Sequence, residues 1–189
     1  MTNRALMFSS IIIALFLLAG CSKKQQQGDQ SASLGQGKGS VAGVQWSVPK
    51  RWEEQGARQM RAATYTIPAS QGDPEPAECA VFYFGNSQGG SVDMNIDRWV
   101  GQFETANPPA RSEREVNGMK VTLVQIAGAY LAPSGPMMQS QGKKDNFRLL
   151  GAIVDGPQGS VFFKLTGPAK TVADCEGEFD AMVGSLSKQ

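Results

Sequence analysis

From about Val41 onward, apolar and polar residues recur with two periods, one of two residues and one near 3.6. Val44–Val48 stops at Pro49 and Met60–Ile67 stops at Pro68. Both runs predict strands, because successive strand side chains point to opposite sides. Glu78–Phe84 (ECAVFYF) is apolar almost throughout, as expected of a strand covered on both faces. Ser91–Thr105 changes period: Val92, Ile96, Trp99, Val100 and Phe103 fall on one helical stripe. Ser91 can cap that helix, Asp93 suits its N-terminal dipole, and Asn107-Pro108-Pro109 ends it.

The strand pattern then returns. Arg111–Val116 and Met119–Leu131 flank Asn117-Gly118, a strong hairpin signal. Pro133–Asn146 predicts a long polar loop. Phe147–Asp155 and Ser160–Thr166 predict a second hairpin around Gly156-Pro157-Gln158-Gly159. Thr171–Leu186 predicts a closing helix, with Thr171 and Asp174 as its capping pair. Its apolar face is Val172, Cys175, Phe179, Met182, Val183 and Leu186. The order β-β-β-α-β-β-β-β-α predicts an α+β fold, a largely antiparallel sheet of about six or seven strands covered by two helices.

The first twenty residues follow a different plan. Arg4 precedes an apolar stretch, Ala5 to Ala19, that is short for a membrane span but suits a secretory signal. Leu18-Ala19-Gly20-Cys21 resembles the bacterial lipobox. That resemblance implies cleavage after Gly20, lipid attachment at Cys21 and acylation of the new amino terminus. Several acyl chains hold a protein on a bilayer where one does so only marginally. Ser22, rather than aspartate, follows the lipidated position, which implies the outer membrane, facing the periplasm, in an organism with two membranes.

Residues 21–40 are rich in Gln, Gly, Ser and Lys with Leu34 as their one large apolar side chain. They predict a flexible tether of roughly 25 Å root-mean-square span. Lys23 and Lys24 lie next to the lipid, where a solvated role suffices. Residues 41–189 then form one globular domain. With 41% apolar and 19% charged residues, a packed core is expected and full-length disorder is not. Lys+Arg is 18 and Asp+Glu 17, which argues against nucleic acid as a partner. The chain has no histidine, so His-dependent triads and His-ligated zinc are excluded.

Trp46-x-Val48-Pro49-x-x-Trp52, the late run Phe162 to Pro168 (FFKLTGP) and the closing helix together resemble the PsbP-like α/β/α sandwich. Photosystem II extrinsic proteins and a Ran-release factor share that fold. The resemblance covers about residues 42–188 and implies architecture alone, since fold does not carry function.

Candidate chemistry is sparse. Asp93, Asn95, Asp97 and Glu104 have calcium-loop spacing, but Arg98 replaces the required glycine and the segment carries a helical stripe, so it reads as an acidic helix face. Gly85, Gly89, Gly90 and Ser91 lie in a loop between strand and helix; this is a candidate ligand loop, though without the lysine of a P-loop. Cys79 and Cys175 either close a disulfide or pack as two small buried thiols. Ser47–Lys50 and Ser185–Lys188 match S-x-x-K by chance, Trp46, Trp52 and Trp99 read as core, and Met137-Met138 sit in the expected loop. No cofactor and no metal site is expected.

The sequence thus predicts a lipid-anchored extracytoplasmic domain without catalytic activity, bound to the membrane through its lipid and to an envelope protein partner. One alternative is a small-ligand carrier with a pocket between sheet and helix. Another is a hydrolase using carboxylates such as Glu78 or Asp155.

Overall fold

Alternating burial organises the chain around one central sheet. The computed structural model describes residues 37–105, 107–133 and 140–189. Its first strands are β1 (Lys38–Val41), β2 (Val44–Ser47), β3 (Glu53–Glu54), β4 (Ala63–Ile67) and β5 (Ala77–Tyr83). Helix α1 (Val92–Val100) follows, then β6 (Phe103–Glu104), β7 (Ala110–Val116), β8 (Met119–Pro133), β9 (Ser140–Gly156) and β10 (Gly159–Pro168). The chain ends with α2 (Ala169–Asp174), α3 (Glu176–Gly184) and β11 (Ser187–Lys188).

The main sheet has eight strands in the order β3-β4-β5-β10-β9-β8-β6, with β7 also paired to β8. Every described pairing is antiparallel. Asn117 and Gly118 both take positive φ, 49° and 74°, as the two-residue turn between β7 and β8 requires. β7 is an edge strand, and its charged residues Arg111, Glu113, Arg114 and Glu115 oppose edge-to-edge pairing. A smaller sheet, β1-β2-β11, packs Val41, Val44 and Trp46 into the main core.

The period of two separates two cores. In β10, Phe163 and Leu165 face one side with Tyr65, Cys79, Val81 and Leu150, under Val172, Phe179, Met182 and Val183 of α2 and α3. Phe162 faces the other side with Leu149, Ile153, Val124 and Ile126, under Ile96 and Trp99 of α1. Each fully buried side chain of this size contributes about 1.5–3 kcal/mol. Gly151 of β9 makes the second packing geometrically feasible: a Cβ there would lie 2.4 Å from Trp99 Cζ3. Helices therefore cover both faces of a largely antiparallel sheet, the expected α+β class.

Several boundaries differ from the sequence reading. There are eight strands in the main sheet and three helices among the described residues, not six or seven and two. Lys38 to Ser40, assigned above to the tether, belong to β1, because Trp46 of β2 lies against Gly39. Met60 lies in a left-handed turn, and its strand begins at Ala63. Helix α1 ends at Val100, and Phe103 reaches the core from β6 opposite Tyr130. The closing helix is broken at Cys175 (φ −108°, ψ 7°), which separates α2 from α3. Thr171 is not its cap. Pro168 occupies that position, and the Thr171 N–H is instead accepted by Asp73 Oδ2 at 2.8 Å, from a distant loop. Residues 140–146 extend β9 rather than forming a loop.

Candidate functional site

The two sheet faces carry different chemistry. On the α3 face, Ala110 and Arg111 of β7, Leu123 and Gln125 of β8, and Leu150 of β9 meet Glu176, Gly177, Phe179 and Asp180. They enclose a groove of about 310 Å³ between sheet and helix. Its floor is apolar and its rim charges are already paired. Glu176 accepts from Arg148 at 2.7 Å and from Gln125 at 3.1 Å. Asp180 accepts from Arg114 and Asp93 accepts from Arg111, at 2.7 and 2.6 Å. Gly177 borders this space with nothing near its missing Cβ.

On the opposite face, a polar cluster interrupts the apolar surface beside α1. Lys164 sits on β10, the central strand of the sheet, and donates to Gln102 Oε1 just past the α1 cap. Its ammonium lies 5.6 Å from the centroid of the Tyr130 ring. The residue as a whole is only partly buried, but this packing strips water from the charged end. Burial, reinforced by the Arg61 guanidinium, lowers the Lys164 amine to about 8, with Glu78 opposing the shift.

Glu78 is itself fully engaged. Arg61 donates to its Oε1 and Arg58 to its Oε2, both at 2.7 Å. The Tyr130 hydroxyl is raised above the ordinary phenol value by burial, with Glu78 adding to the shift and Arg61 reducing it. Thr166, directly across from Glu78, has a buried hydroxyl without a hydrogen-bond partner among the described residues.

The residues singled out from sequence are scattered. Cys21, Ser22, Lys23, Lys24 and Met137-Met138 lie outside the described residues. Cys79 and Cys175 are free thiols, fully buried in the same core cluster. Burial pushes the Cys79 thiol far up, and Cys175 adds to that shift. Burial pushes Cys175 up to about 11 against the pull of Arg51. Thiols in this state are inert.

The glycine loop closes on itself. Gly85, Gly89 and Gly90 adopt positive φ. Asn95 Nδ2 donates to the carbonyls of Gly89 and Ser91, at 2.8 Å each, and Ser91 Oγ caps α1 by accepting from Met94 N. Gly89 and Gly90 line a shallow dish of about 300 Å³ with Arg98, but Gly85 and Ser91 do not. Of the residues with calcium-loop spacing, Asp93, Asn95 and Asp97 lie in α1 and Glu104 lies in β6, with Asp93 paired to Arg111 and Glu104 to Lys143.

Glu78 and Asp155 are not brought together. They pair with Thr166 and Ser160 of the same strand, six residues apart, or about 20 Å. The sequence reading missed Lys164 as a site residue. Its signal was a lysine inside the otherwise apolar run FFKLTGP.

No protein-family model matches the chain, and no curated protein matches it. Among solved structures, it is similar to cyanobacterial PsbP (CyanoP) from Synechocystis sp. PCC 6803. That match has 12% identity, covers 87% of this chain and 96% of that one, and has a TM-score of 0.49. The chain is also similar to a Pseudomonas aeruginosa protein of unknown function, at 12% identity, 84% and 98% coverage and a TM-score of 0.46.

Proposed function

We propose that this chain is a lipid-anchored, extracytoplasmic binding domain without catalytic activity, and that it seats a small, largely apolar ligand in the groove under α3. The anchor is the acylated Cys21, and Ser22 directs the protein to the outer membrane where one exists. The observation that carries the binding reading is the groove itself. Its volume, about 310 Å³, lies at the lower end of small-ligand sites, and its charges are satisfied within the protein. An occupant therefore gains from the apolar floor without breaking ion pairs.

Carboxylate hydrolysis has less support, since Glu78 is held by two arginines and Asp155 lies far along the sheet. A broad apolar docking surface has less support as well. The exposed large hydrophobic side chains among the described residues are Met60, in the turn before β4, and Met94, on α1.

The binding test uses the neutral dye Nile red with the folded wild type and Gly177→Leu. Wild type should bind the dye saturably, and the leucine, entering open space, should abolish binding while α3 stays folded. Equal dye binding by both proteins overturns the groove assignment. For the anchor, fatty-acid labelling should mark wild type and not Cys21→Ala; equal labelling overturns the lipid assignment.

A further inference from the structure

The α1 face of the sheet holds more positive charge than the described residues neutralise. Arg58, Arg61 and Lys164 gather around one carboxylate, Glu78, whose two oxygens are taken by the two arginines. Lys164 has no carboxylate within ion-pair distance among the described residues, and one of its three N–H donors is used, by Gln102. Arg61 directs Nη1 at Glu78 and Thr64, which leaves Nη2 and Nε without a described acceptor. The buried Thr166 hydroxyl has no partner among the described residues. A desolvated cation without a counter-charge is costly, and unfilled donors around it complete the complement of an anion.

We propose that the sheet face around Lys164 binds a small oxyanion, a carboxylate or a phosphate, through the Lys164 ammonium, the Arg61 guanidinium and the Tyr130 and Thr166 hydroxyls. Lysine supplies a point charge and arginine a planar fork, and both suit oxygen acceptors. The hydroxyls complete the oxyanion's hydrogen bonding without further charge. Glu78 fixes the arginine fork and lowers the net charge of the site, which limits it to small anions rather than extended polyanions. This site lies on the sheet face opposite the groove, and the two readings stand independently.

The test is calorimetric titration of the intact domain with inorganic phosphate and with succinate, against sodium chloride at matched ionic strength. Wild type should bind at least one of the two anions saturably in the millimolar range, and the tighter one identifies whether the site takes a phosphate or a carboxylate. Lys164→Met should weaken binding about tenfold or more, as loss of a charge-assisted contact implies. Thr166→Val removes no charge and should weaken it several-fold, which separates a built site from bulk electrostatics. The Lys164 13Cε resonance should shift with the same saturation. Gly177→Leu should leave anion binding intact. Absence of saturable binding of both anions by wild type, or equal affinities in wild type, Lys164→Met and Thr166→Val, overturns the proposal.

Discussion

Replacing Lys164 by methionine should raise stability near neutral pH and lower it in strong alkali. The side chains are of similar length, so the change chiefly removes an amine. In the folded protein that amine titrates at about 8 rather than the ordinary 10.5, because burial and Arg61 disfavour its charged form. At 1.36 kcal/mol per unit, the folded state bears a cost of up to about 3 kcal/mol when the lysine is charged, and residual solvent contact reduces that figure. The folded state binds this proton less tightly than the unfolded chain does. The cost is therefore complete below about pH 8, fades as pH rises to about 10.5, and is absent above it.

Methionine never bears that cost. It does leave Gln102 Oε1 without its donor, at about 1–2 kcal/mol, and it forfeits the cation–ring contact with Tyr130, about 0.5–1 kcal/mol. The net expectation is a gain of about 1 kcal/mol near neutrality that becomes a loss of similar size in alkali. Urea unfolding of both proteins across this range measures the difference, in which the titration of shared groups such as Tyr65 and the two thiols cancels. A difference that stays flat from neutrality to high pH would refute the burial of this ammonium.

Gly151→Ala should cost about 1–3 kcal/mol, since its methyl would meet Trp99 and Val124 at 2.4 and 2.7 Å. Adding Trp99→Leu should then cost less than it does in wild type, which a double-mutant cycle of urea midpoints would reveal. Asp73→Ala should lower stability by about 1–2 kcal/mol, because Asp73 Oδ2 accepts both the N–H and the hydroxyl of Thr171 in the first turn of α2. Cys79 and Cys175 should resist maleimide in the folded protein, and both should react once it is unfolded without reductant; failure to react then would mean that they are bridged.

The elements that depend on local rules were legible in the sequence. Asn117-Gly118 specifies its own turn, and the alternation through Phe162 to Leu165 specifies which side chains enter which core. The misread boundaries share one cause: apolar periodicity reports burial, not backbone angles. Phe103 fits the α1 stripe by spacing, yet it is buried from β6. Cys175 fits the closing stripe, yet its ψ breaks the helix. Lys143 to Asn146 read as a loop because they are polar, yet they continue β9, where the hairpin arm carries polar side chains. The cation cluster was harder to see. Glu78, Tyr130 and Lys164 converge through register across β5, β10, β9 and β8, Arg61 joins them from the loop that leads into β4 beside β5, and no local spacing encodes that.

The predicted pH behaviour of Lys164 and the proposed oxyanion site constrain one another. A methionine in the centre of β10 would continue the apolar run of Phe162, Phe163 and Leu165, so core packing gives no reason for a lysine there. If Lys164→Met is both more stable and unable to bind phosphate or succinate, the lysine's energetic cost has a function as its explanation, because sites are often held at the expense of stability. If the variant is more stable and binds as well as wild type, the cost remains while the proposed function falls. A less stable variant at neutral pH would mean that the Gln102 and Tyr130 contacts outweigh desolvation, and that the ammonium is satisfied without a ligand. Stability and anion affinity measured on one pair of proteins therefore separate a lysine kept for binding from one kept for structure.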